Sequence, residues 1–147
     1  MHDASSTDSD PLARFVAAQD RDGTYETALN ELRHSRKRSH WMWFVFPQLA
    51  GLGRSPTARR YAITGLDEAR AYLAHPVLGA RLRECTEALL GLGDQPAERV
   101  LGPIDALKLR SSMTLFARAA PDEPSFPKVL EQWFGREPDP LTEQLLG

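Results

Sequence analysis

Residues 96–116 read Pro-Ala-Glu-Arg-Val-Leu-Gly-Pro-Ile-Asp-Ala-Leu-Lys-Leu-Arg-Ser-Ser-Met-Thr-Leu-Phe, and the Pro and Gly residues inside them decide the fold class. Proline is suited to the first helical position, where its missing N–H is not needed, and glycine to the position just past the end, where φ turns positive. Pro96 to Leu101 therefore reads as a short helix closed by Gly102. Pro103 starts a longer one, with Leu107, Met113 and Phe116 among its apolar positions.

The same punctuation repeats outward in both directions. Upstream, Asp10-Pro11 opens a helix toward Gln19, and Thr24 caps one whose face is Tyr25, Ala28, Leu29 and Leu32 at i, i+3, i+4, i+7. Ser55-Pro56 reads as N-cap and N1 of a helix through Tyr61, Asp67 starts the next with Ala69, Tyr72 and Leu73 inward, and His75-Pro76 reopens the chain. Leu78, Leu82, Cys85 and Leu89 then form a stripe toward Gly91. Downstream, Pro127 to Phe134 closes on Gly135, and Asp139-Pro140 caps a last helix. Trp41–Phe46 alone has strand-like composition, and no alternating run bounded by hairpin signals is present. The expectation is an all-α fold: one domain of about eight to ten short helices over residues 11–147, preceded by a disordered polar leader at 1–10.

Composition agrees with this. The 147 residues are 41% hydrophobic and include three Trp and six Phe, enough for a sizeable core and too many for a disordered chain. Cys85 is the only cysteine, so a disulfide scaffold is excluded and a reducing, cytoplasmic setting is expected. The longest uninterrupted apolar stretch, Trp41–Phe46, is far below the ~20 residues of a membrane helix. The His residues are scattered without metal-ligand spacing, and no phosphate-binding glycine loop or nucleophile elbow occurs, so neither a metal nor a cofactor is expected.

The net charge of −2 is unevenly distributed. Residues 33–60 contain Arg33, Arg36, Lys37, Arg38, Arg54, Arg59 and Arg60 and no acid, whereas residues 1–32 balance at −5 and 121–147 at −4. Within this basic stretch stands His40-Trp41-Met42-Trp43-Phe44-Val45-Phe46, followed by a loop with Gly51 and Gly53. Aromatic rings beside guanidiniums suit a planar anionic ligand. The competing reading is that Trp41, Met42, Phe44, Val45 and Phe46 are core and the cations a solvated face. A second segment runs from Gly102 to Phe116. On one helix, Lys108, Ser111, Ser112 and Leu115 share a face, with Asp105 one turn before Lys108. A lysine with two hydroxyls one turn on suits a phosphate or sugar; small serines also let helices pack closely.

Ser39-His40-Trp41-Met42-Trp43-Phe44-Val45-Phe46-Pro47-Gln48, Gly51-Leu52-Gly53-Arg54-Ser55 and Tyr61-Ala62-Ile63 resemble the bacterial family catalogued as domain of unknown function 1810. The resemblance continues at Tyr72-Leu73, His75-Pro76, Leu78-Gly79 and Lys108-Leu109 through Phe116, covering roughly residues 10–136. It implies a mainly α-helical fold and supplies no activity; some members carry the label calpastatin, which needs long disordered repeats that this compact chain lacks. It joins the two segments through His40, Trp41, Trp43, Gln48, Tyr61, Lys108, Ser111 and Ser112.

Three functional readings follow. In the first, one pocket binds, and could process, a small anionic ligand such as a nucleotide or ADP-ribose derivative. Trp41 or Trp43 would stack, Lys37, Arg59 or Arg60 would meet the anion, and Gln48, Tyr61, Ser111 and Ser112 would hydrogen-bond. His40 and Lys108 are the catalytic candidates, His being the side chain that titrates near neutrality. In the second, the basic face docks on an acidic protein partner or a second copy of the chain. The third, sequence-neutral nucleic-acid binding, is the weakest, because the chain as a whole is acidic.

Overall fold

Three helix starts are built from a proline at N1, and two of these are also closed by a side chain. Ser55 Oγ accepts the Ala58 amide at 3.0 Å and the Asp139 carboxylate accepts that of Thr142 at 3.0 Å, ahead of Pro56 and Pro140. The computed structural model describes residues 10–147, so the expected leader at 1–10 lies outside the described residues except for Asp10, whose carboxylate caps the Leu12 amide at 3.0 Å.

The α-helices are α1 (Ala13–Asp20), α2 (Thr24–Arg33), α3 (Met42–Val45), α4 (Pro56–Arg60), α5 (Leu66–Ala74), α6 (Leu78–Gly91), α7 (Ala97–Leu101), α8 (Pro103–Ala119), α9 (Ser125–Phe134) and α10 (Pro140–Leu146), with a 3-10 turn at Arg21–Gly23. The fold is all-α, as the punctuation requires. Trp41–Phe46 contains α3, its Val45 and Phe46 amides bonding back to the Trp41 and Met42 carbonyls. Among the described residues β pairing is limited to one parallel bridge, Leu49 with Ile63.

The longest helix, α8, runs through the middle and is packed by α5, α7, α9, α10 and α3. Leu109, Met113, Leu115 and Phe116 on it are fully buried. A file of aromatic rings crosses the core: Phe15 meets Tyr72 at 5.2 Å, Tyr72 meets Phe116 at 5.5 Å and Phe116 meets Phe126 at 5.8 Å. The file branches from Phe15 to Tyr61 at 5.8 Å and on to Phe44 at 5.2 Å. Cys85 is buried on α6, and burial pushes its thiol up to about 12, so it stays protonated.

Two polar hubs fix the basic stretch against this core. Buried Gln19 donates to the Phe44 carbonyl at 2.7 Å and the Tyr72 hydroxyl at 3.1 Å, and accepts from Arg81 at 3.2 Å. The Glu31 carboxylate accepts from the Arg38 and Ser39 amides (2.8 and 3.0 Å), the Ser39 hydroxyl (2.6 Å) and the Trp41 indole N–H (2.9 Å). Burial works against its charge, but the four donors outweigh burial and hold its carboxyl at about 2, below the ordinary 4.5.

A carboxyl lowered on folding stabilises the native state above its unfolded value and loses that contribution as pH falls through its folded value, here from about pH 5 to 2. Glu31→Gln is therefore expected to flatten the fall of the unfolding temperature between pH 5 and 3. Glu31→Ala, which strands the indole and hydroxyl donors, is expected to lose about 2 kcal/mol at pH 7 in chemical denaturation.

Candidate functional site

Residues 48–63 form a loop whose ends are clamped by backbone bonds, Ile63 N–H to Gln48 carbonyl and Ala50 N–H to Ile63 carbonyl, both 2.8 Å. Compact loops with adjacent ends are common carriers of function. Arg14 holds the far side of this loop, donating to the Arg60 carbonyl at 2.6 Å and the Ala62 carbonyl at 2.7 Å. The loop wraps a cavity of about 210 Å³ against Trp43, lined also by Gln48, Gly53, Arg59 and Tyr61. Gly53 makes the wrapping possible. A Cβ there would lie 2.6 Å from Ala58 Cβ and 3.6 Å from the Trp43 ring.

Trp43, Gln48 and Gly53 also line a second cavity, of about 250 Å³, on the other side. Its wall includes Lys108 and Ser111 from α8, with Asp139 at the start of α10. The Lys108 ammonium lies over the Trp43 ring, 3.9 Å from its centroid, and 3.2 Å from Asp105. Asp105 is shared: its other oxygen is 2.8 Å from the Lys37 ammonium, whose side chain is only 6% exposed. Burial opposes the Asp105 charge, yet the two ammonium groups hold its carboxyl below the ordinary value.

The structure thus brings together six of the residues the sequence suggests: Trp43, Gln48, Arg59 and Tyr61 at one cavity, and Trp43 and Gln48 again with Lys108 and Ser111 at the other. Five lie elsewhere. Trp41 is buried with its N–H on Glu31. Lys37 is paired with Asp105 and packs its ammonium over the Trp41 ring at 4.9 Å. Ser112 is fully buried, with no partner for its hydroxyl. Arg60 lies over Tyr61 at 5.6 Å, outside either cavity wall. His40 is exposed and lines neither cavity.

Hydrogen bonding separates the two cavities. At the loop cavity, the Trp43 indole N–H, the Gln48 amide, the Arg59 guanidinium and the Tyr61 hydroxyl have no partner among the described residues, and none of these groups is sealed from solvent. At the second cavity, Lys108 is paired, Ser111 donates to the Leu107 carbonyl at 3.2 Å, and Asp139 accepts from Thr142. The sequence reading missed the leucines and isoleucine that wall this second cavity: Ile104, Leu107 and Leu141 are exposed there. A signal was present, since Ile104, Leu107, Lys108 and Ser111 follow i, i+3, i+4, i+7 on a helix that is apolar on more than one side. Among the described residues no group of three His, Cys, Asp or Glu side chains is arranged to hold a metal ion, and no helix is long and apolar enough to cross a membrane.

The family described as "protein of unknown function (DUF1810)" matches residues 9–146. The chain is also similar to the conserved hypothetical protein Rv1873 from Mycobacterium tuberculosis, known from a crystal structure. The two share 51% identity over 92% of this chain and 95% of that one, with a TM-score of 0.88. No curated protein matches.

Three substitutions check the geometry. Gly53→Ala, by overpacking against Ala58, is expected to cost about 1–3 kcal/mol in thermal unfolding, whereas Gly65→Ala, in open space with extended backbone, stays within about 0.5 kcal/mol. Asp105→Ala leaves the Lys37 ammonium inside the protein without its counter-ion and is expected to cost about 3 kcal/mol.

Proposed function

We propose, on the premise that this chain belongs to the DUF1810 family, that its function is to bind a small organic anion in the cleft around Trp43. The observation that carries this reading is the set of four unpartnered polar groups, on Trp43, Gln48, Arg59 and Tyr61, lining one cavity. Most Arg and Lys side chains outside residues 33–60 are paired with an acid, as Arg81, Arg83 and Arg118 are; among the described residues Arg59 has no such partner. It is the cation that meets the anion. Gln48 and Tyr61 supply directional hydrogen bonds. Lys108 covers one face of Trp43, so a ring stacked on this indole uses the other. A nucleotide or an ADP-ribose derivative is the ligand class proposed from the sequence, with a base on Trp43 and phosphate toward Arg59. Of the two catalytic candidates, His40 stands outside both cavities and Lys108 is engaged by Asp105 and the Trp43 ring, so the reading is one of binding.

A second reading rests on a different place. An open groove beside α2 is lined by Asn30, Glu31, His34, Arg36 and Arg38, and neither of these two guanidiniums is in an ion pair with a described residue. The Glu31 charge is already satisfied by its four donors, which leaves the groove basic and suited to an acidic protein partner. Binding there would fall steeply as salt rises past ~0.2 M.

Thermal unfolding with a panel of nucleotides, NAD, ADP-ribose and sugar phosphates tests the first reading. A ligand at ten times its Kd adds about 1.4 kcal/mol, a rise of a few degrees for a domain of this size. The rise is expected to vanish in Arg59→Ala and Trp43→Ala. A shift that both variants retain, or no shift with any anion, refutes the site.

A further inference from the structure

Trp43 joins two cavities of opposite character. Five large hydrophobic side chains are exposed among the described residues, and three of them, Ile104 (69%), Leu107 (61%) and Leu141 (46%), stand around the second cavity. Leu52, half-buried, completes the collar. Exposed aliphatic groups gathered at one place mark a surface that is covered in use. The polar groups at this cavity are, apart from the Gln48 amide and the Trp43 indole N–H that it shares with the loop cavity, already engaged: Lys108 with Asp105 and the Trp43 ring, Ser111 with Leu107, and Asp139 with Thr142. A second anionic group placed here would find a cation that already has a counter-ion. A hydrocarbon group would find four aliphatic walls and one face of α8.

We propose that the ligand of the Trp43 cleft is amphiphilic: a single compact anionic group, phosphate or carboxylate, seated by Arg59, Gln48 and Tyr61 in the loop cavity, joined to a hydrocarbon body that passes Trp43 and packs into the collar of Leu52, Ile104, Leu107 and Leu141. This rests on the binding reading above and narrows it, because a ligand polar at both ends, such as a dinucleotide, leaves the collar wet. The two cavities, about 210 and 250 Å³, are each just below the size range of a small-molecule site and share Trp43, Gln48 and Gly53 in their walls; they are taken as the two ends of one ligand site.

The test is titration calorimetry of the full chain with inorganic phosphate and the n-alkyl phosphates from methyl to octyl below their micellar concentrations, repeated with the n-alkyl carboxylates. Affinity is expected to rise two- to fourfold per added methylene, fourfold being about the factor for full removal of a CH₂ from water, until the collar is filled. Leu107→Gln, a change at an exposed position that leaves the unfolding temperature where it is, is expected to flatten this dependence without altering methyl phosphate binding. Arg59→Ala weakens every member of the series. If methyl and octyl phosphate bind equally and both need Arg59, the anion site stands and the amphiphile does not. If no member binds while an anion of the thermal-unfolding panel does so through Arg59, the amphiphile falls and the anion site stands; if neither set binds, both readings fail. Sedimentation with phosphatidic acid–phosphatidylcholine vesicles is expected to leave the protein in the supernatant. Co-sedimentation that Leu107→Gln abolishes would assign the collar to a membrane surface and overturn the free ligand.

Discussion

The Glu31 carboxylate accepts two backbone amides, a hydroxyl and an indole N–H, and the strap from Arg38 to Trp41 that leads into the cleft is held by it. A carboxylate with that many donors has little freedom, so the strap carrying Arg38 and Ser39 is set at a fixed distance from α2. Trp41 is drawn inward by the same group and becomes core. Trp43, two residues on and within the short turn of α3, is only half-buried and lines the cleft. Lys37, pulled in the same direction, meets Asp105 on α8 and ties the strap to the central helix. One acid on α2 thereby holds one of the two tryptophans out of reach of a ligand.

The cleft inherits its rigidity from the core. Tyr61, on its wall, stands between Phe44 and an aromatic file that continues through Phe15, Tyr72 and Phe116 to Phe126. Gln19, buried beneath, fixes the Phe44 carbonyl. A wall held in this way is organised before a ligand arrives, which lowers the ordering cost of binding.

Local rules made most of the helices readable, since proline at N1, glycine after the last turn and the 3.6-residue stripe act over a few residues. Even so, α9 begins at Ser125, two residues before the proline the punctuation singles out. The density of cations and aromatics in residues 33–60 was readable too. Their fates were not, because the deciding partners are remote: Lys37 is neutralised by Asp105 and Trp41 is fixed by Glu31. The α8 face shows the same limit. Periodicity groups Lys108, Ser111, Ser112 and Leu115, yet the boundary between cleft and core runs through that group, with Lys108 and Ser111 at the cavity and Ser112 and Leu115 fully buried. Where a stripe meets its edge is set by the neighbouring helix, which the spacing does not name.

The clamp between Leu49 and Ile63 makes the intervening segment a separate excursion from the helical frame. Chain entering and chain leaving are hydrogen-bonded to each other, so a change of length between them does not propagate into α3 or α5. Closing a longer excursion costs little, about 0.6 kcal/mol for each doubling. One wall of the cleft, Leu52 included, can therefore be rebuilt by insertion or deletion while Ile104, Leu107 and Leu141 on α8 and α10 stay as they are. The molecule is organised as a fixed receptacle with an exchangeable rim, and new selectivity for the polar end of a ligand could be grafted there without refolding the rest.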